Sequence, residues 1–109
     1  MSNSNWQATI NGFRAYLLLE RSLAENTAEA YLRDLNKLVE FLALRSYELT
    51  PQQLDTEHLA EFIRWLNELG LGARSQARLL SALKTFYKYL LVEDLTDRDP
   101  TELLDAPRL

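Results

Sequence analysis

A chain of 109 residues, 47% hydrophobic and 26% charged, has the size and composition of one folded domain with a single core. It contains no cysteine, which excludes disulfides, thiolate metal sites and a cysteine nucleophile, and its three glycines and three prolines are too few for a collagen-like or linker-like chain. Twelve basic and sixteen acidic residues give a net charge of −4, which taken alone argues against a polyanionic partner.

Trp6, Ile10, Phe13, Leu17 and Leu18 recur at three- and four-residue spacing and predict a first helix from Trp6 to Glu20, preceded by a flexible tail over residues 1–5. The short connection Arg21 to Glu25 places the next helix beside it. That helix opens at Asn26 or Thr27, either of which can accept a hydrogen bond from the first-turn N–H groups. Tyr31, Leu35, Leu38 and Leu42 form its buried stripe, widened by Leu32, Val39 and Phe41, and it ends near Arg45 or Ser46. Thr50-Pro51-Gln52-Gln53 has a cap residue, a proline at the first helical position and a glutamine three residues after the cap, so a single turn is expected. Asp55 or Thr56 caps a third helix with the stripe Leu59, Phe62, Ile63, Leu66 and Leu69, and Gly70 stops it. A fourth helix runs from about Ala73 to Glu93, and Asp99-Pro100-Thr101-Glu102 starts a last short turn. No segment alternates apolar and polar residues, so the expected fold class is all-α: four main helices in a small bundle, forming one domain over residues 1–109.

The charge is not spread evenly. Between Gly70 and Val92 stand Arg74, Arg78, Lys84 and Lys88 and no acid, so the net −4 is the sum of +4 there and −8 elsewhere. At about 100° per residue the four cations fall within an arc of about 120°. Ser81 and Thr85 lie inside that arc, while Leu79, Leu80, Leu83, Phe86, Tyr87, Leu90 and Leu91 take the opposite side. A helix with a basic, hydroxyl-bearing outer face suits a phosphate backbone, although such faces more often serve only solubility. The second helix carries a weaker version, Arg33 and Lys37 four apart, diluted by Glu29 and Glu40. Glu57, Glu61 and Glu68 against Arg64 mark the third helix as the one turned away from any polyanion.

Nothing in the chain reads as catalytic. His58 is the sole histidine, no glycine-rich phosphate loop or nucleophile elbow occurs, and the carboxylates are scattered. No cofactor or metal is expected. No run approaches the ~18–20 apolar residues of a membrane span, and the polar start from Met1 to Asn11 lacks the blocks of a signal peptide. A cytoplasmic protein without membrane partners is the expectation.

Two longer motifs carry a resemblance. Leu23-Ala24-Glu25-Asn26-Thr27-Ala28-Glu29-Ala30-Tyr31-Leu32-Arg33-Asp34-Leu35 resembles the Ser/Ala-x-Asn-Thr-x-x-x-Tyr-x-x-Asp-Leu signature of the tyrosine recombinases. The run from Ser75 to Leu90 resembles that family's Arg-x-Leu-Ser-Ala-Leu-Arg-x-Phe-Tyr-x-Tyr-Leu segment, and Asp99-Pro100 with Ala106-Pro107-Arg108-Leu109 looks like the end of the same domain. The likeness extends from about Trp6 to Leu109 and is greatest to the Xer-type branch of the phage integrases. It implies an N-terminal, SAM-like core-binding domain that clamps double-stranded DNA, while a C-terminal domain beyond this chain cleaves and rejoins it. Residues 99–109 would then begin the linker to that domain. On the same resemblance Asn26, Thr27 and Arg33 of the second helix, and Arg74, Ser75, Arg78, Ser81 and Lys84 of the fourth, would lie at the DNA; the helical wheel adds Lys37, Thr85 and Lys88. The chain would bind DNA without cutting it, as a monomer when isolated and within a tetrameric synaptic complex of recombinase subunits when full length. The alternative reading is a helical protein–protein interaction module with no DNA contact, since a fold does not fix a function.

Overall fold

The structure is a computed structural model that describes residues 2–104. Among these residues there are four α-helices joined by turns, and no strand: α1 (Ser2–Ala15), α2 (Glu25–Leu44), α3 (Thr56–Glu68) and α4 (Ala73–Val92). The all-α expectation holds. The chain divides into two compact units, one up to Pro51 and one from Gln52. The closing Ala106–Leu109 segment lies outside the described residues.

In the first unit α1 starts at Ser2, four residues ahead of the expected Trp6. Trp6, Ile10, Phe13 and Leu17 are buried, at successive spacings of four, three and four, so one stripe faces the core. The helix does not continue regularly to Glu20. Tyr16–Glu20 is a π-helical turn, closed by the Arg21 N–H donating to the Tyr16 carbonyl at 3.1 Å. The wider turn keeps Leu17 in the core and leaves Leu19 80% exposed among three consecutive leucines. α1 packs on α2, and the Trp6 indole N–H donates to the Leu49 carbonyl at 2.8 Å, fixing the segment after α2 to the start of α1.

α2 differs from expectation at its start. Ala24 is the cap residue, with extended backbone and no side-chain cap bond, and the Ala28 N–H donates to its carbonyl at 3.0 Å. Asn26 and Thr27 are therefore the second and third helical residues rather than caps. Glu25, at the first position, complements the helix dipole instead. Ala28, Leu35, Leu38, Phe41 and Leu42 form the buried stripe, while Tyr31, Leu32 and Val39 are half-buried.

In the second unit Asp55 caps α3. The Asp55 N–H donates to His58 Nδ1 at 3.0 Å, one half of a capping box whose other half is the Asp55 side chain accepting the His58 N–H. Leu59, Phe62 and Leu66 are buried and Ile63 is half-buried. Leu69, expected in this stripe, is 65% exposed: it is the C-cap residue, past the last full helical turn. Gly70 follows with φ 87°, the left-handed stop that the sequence announced.

α4 buries Leu79, Leu80, Ala82, Leu83, Phe86, Tyr87, Tyr89 and Leu90. Leu91, expected on the same side, is exposed, being the flank residue of the last turn. Gln76 Nε2 donates to the Leu71 carbonyl at 2.9 Å and to Asn67 Oδ1, tying the start of α4 to the turn before it.

Candidate nucleic-acid interface

The outer face of α4 follows from its buried face. Apolar residues take the positions that point inward, and the remainder is left for polar groups. Arg74, Arg78, Ser81, Thr85 and Lys88 are spaced by four, three, four and three residues, so they form one line along the helix. Arg74, Ser81 and Lys88 are exposed, and Arg78 and Thr85 are half-buried. From Arg74 to Lys88 the line is about 21 Å long at 1.5 Å per residue. That exceeds the ~12 Å width of a B-form major groove.

Two of the expected residues stand off this line. Ser75, half-buried, lies about 100° round the helix from Arg74. Lys84 lies about 80° round on the other side, and its ammonium donates to the Thr101 carbonyl at 3.0 Å. Its charge is thus directed at the turn after α4. No acid interrupts the face until Glu93 at the C-cap. The Tyr89 hydroxyl, next to the line, is pushed above its ordinary value by burial and then by Glu93, so it adds no negative charge.

On α2 the corresponding line is Asn26, Arg33 and Lys37, with Thr27 about 100° away. Asn26, Thr27 and Arg33 are exposed. Lys37 Nζ stands 3.8 Å from Asp34 Oδ1. Glu29, on the flank of this line, accepts from Arg14 Nε at 3.2 Å, which offsets its charge locally. Sequence reasoning missed Asp34, which is wholly buried although every buried polar side-chain atom among the described residues has a partner. The signal was available in its position beside Leu35 on the inward side of the helix. The bond from Lys84 to Thr101 had no such signal, because it joins residues 17 apart through a turn.

No group of three or more metal-ligating side chains occurs among the described residues, and His58 serves as a cap partner. No described helix is long and apolar enough to cross a membrane.

Residues 10–94 match the family of the phage integrase N-terminal SAM-like domain. The chain belongs to this family. It is 36% identical over 104 residues to the tyrosine recombinase XerD of Chlorobaculum tepidum, covering 95% of this chain and 34% of that protein. It is 41% identical over 101 residues to the XerD of Agrobacterium fabrum (93% and 30%) and 45% identical over 103 residues to that of Yersinia pestis (92% and 33%). The chain thus spans about a third of the length of the curated relatives it matches. No solved structure matches it. The all-α fold with the integrase-type SAM-like arrangement is the one the sequence motifs implied.

Proposed function

We propose that this chain is the DNA-binding part of a site-specific tyrosine recombinase. It grips double-stranded DNA at the recombination site, and cleavage and strand exchange fall to catalytic groups outside these residues. The observation that carries the reading is the acid-free line Arg74, Arg78, Ser81, Thr85 and Lys88 on the outer face of α4. Membership of the integrase N-terminal family and the likeness to proteins named tyrosine recombinase support it.

The chemistry is mainly electrostatic. Arg74, Arg78 and Lys88 neutralise phosphates and release their counterions, and the Ser81 and Thr85 hydroxyls donate to phosphate oxygens. On α2, Arg33 supplies a further cation, and Asn26 and Thr27 present amide and hydroxyl groups where the first-turn N–H groups also favour an anion. In the full protein, recombinase subunits assemble in a tetramer on paired sites.

Fluorescence anisotropy on a recombination-site duplex, titrated with salt, tests the reading. Four phosphate-neutralising cations, Arg33, Arg74, Arg78 and Lys88, give a log–log slope of about −3.6, a loss of about 100-fold between 50 and 200 mM salt. Arg74→Glu is expected to weaken binding about tenfold or more, the worth of one charged contact. Glu68→Lys, an exposed change on α3, leaves it unchanged or slightly tighter. Equal effects of the two substitutions would refute the assignment of the DNA face.

A further inference from the structure

A dense polar cluster outside the α4 line surrounds the turn that follows that helix. The chain leaves α4 through Asp94, then turns back. The Gln52 side-chain amide donates to the Leu95 carbonyl at 3.0 Å. Arg98 makes three bonds to the segment before α3: 2.9 Å to the Asp55 carboxylate, 2.9 Å to the Leu54 carbonyl and 3.4 Å to the Gln52 carbonyl. The Thr56 hydroxyl, at the first turn of α3, donates to the Pro100 carbonyl at 2.8 Å. Asp99 Oδ1 accepts both the Thr101 N–H, at 2.9 Å, and the Thr101 hydroxyl, at 2.5 Å. Pro100 and Thr101 are buried. The Thr101 carbonyl accepts the Leu104 N–H at 3.1 Å and the Lys84 ammonium at 3.0 Å. Tyr87, one helical turn past Lys84, is wholly buried; burial first and Asp99 second push its hydroxyl up, against a smaller opposing effect of Arg98.

Here two cationic side chains from separate elements hold one short segment, Arg98 toward the start of α3 and Lys84 from α4. We propose that residues 98–104 are a docked exit segment that moves as one piece with α3 and α4, and that Lys84 is the positioning residue that tethers it to α4. Lys84 is then no phosphate ligand, a corollary that rests on the DNA-binding reading. The segment up to Leu104 is thereby held in place relative to the basic line on α4.

Lys84→Met keeps the aliphatic stem and removes the donor. Amide hydrogen exchange on the chain of 109 residues reads the tether at the N–H groups of Glu102 and Leu104, which are bonded to the Asp99 and Thr101 carbonyls. Lys84→Met is expected to accelerate both about tenfold while core amides of α4 keep their protection; Lys88→Met changes neither. Lys84→Arg, which restores a donor, recovers most of the protection. Arg98→Gln releases the same two amides from the other side, and serves where Lys84→Met folds poorly. The salt slope of duplex binding gives the second readout. Lys84→Met leaves it as in the wild type, whereas Lys88→Met lowers it by about 0.9. Unchanged exchange in Lys84→Met and Arg98→Gln overturns the tether, and a slope lowered by about 0.9 in Lys84→Met returns that residue to the phosphate contacts. A wild-type chain that binds no duplex refutes the DNA reading alone, and the exchange data then decide the tether.

Discussion

Ser22, Ser46 and Asp94 hold φ values of 53°, 58° and 58°, the left-handed region where a Cβ crowds the following carbonyl. Each ends a helix as Gly70 does, and in α2, α3 and α4 the next N–H closes on a carbonyl five residues back: Tyr47 on Leu42, Leu71 on Leu66, Leu95 on Leu90. Ser46→Gly is expected to raise the unfolding free energy by ~0.5–1 kcal/mol, partly offset by the freer unfolded chain, as a shift in urea midpoint at constant m-value. His58 gives the converse case. His58→Ala should cost about 1 kcal/mol by leaving the Asp55 N–H without its acceptor, and His58→Gln, the usual capping-box partner, should retain most of it. Tyr87 makes the fold sensitive to alkali. Its folded value lies above the ordinary 10.0, so the unfolded chain loses this proton first. The stabilisation is complete below pH 10 and declines as pH rises above it. Thermal melts from pH 9 to 12 should show a falling midpoint that is shallower in Tyr87→Phe.

At the scale of the element, spacing made the helices legible and their ends much less so. Leu59, Phe62 and Leu66 follow a 3.6-residue period, and all three are buried. The same period extended to Leu69 and failed, because a C-cap residue no longer continues the helical direction. Leu66→Ala should therefore cost ~2–5 kcal/mol and Leu69→Ala less than ~0.5, a contrast that chemical denaturation resolves easily. Gly70 could be read as a left-handed stop; the ends of α2 near Ser46 and of α4 near Glu93 were also legible, but the left-handed backbone of Ser46 and Asp94 was not. Asn26 and Thr27 looked like caps because their side chains can cap, and the extended backbone of Ala24 took that place instead. The π-helical turn at Tyr16–Glu20 was equally hidden, since the apolar spacing continues through it with Leu17 still buried. Of the basic line, Arg74, Arg78 and Lys88 were legible from the wheel. The engagement of Lys84 was not, because a bond between a helix and a later turn leaves no periodic trace.

At the scale of the whole molecule, net charge and its distribution point in opposite directions. An overall charge of −4 hides a twenty-residue helix without a single acid. The remaining −8 repels a polyanion at long range, so binding by this chain should be weak and should fall steeply with salt.

Each of the two compact units holds one tryptophan, Trp6 in the first and Trp65 in the second. Trp6 is 2% exposed with its indole N–H bonded to a backbone oxygen, and Trp65 is half-buried beside Phe62. The chain therefore carries one intrinsic fluorophore per unit. Single-tryptophan variants, Trp65→Phe and Trp6→Phe, report on the units separately without any added label. Coincident emission shifts would describe one cooperative melting event, and separated ones would show a helical pair that outlives its neighbour.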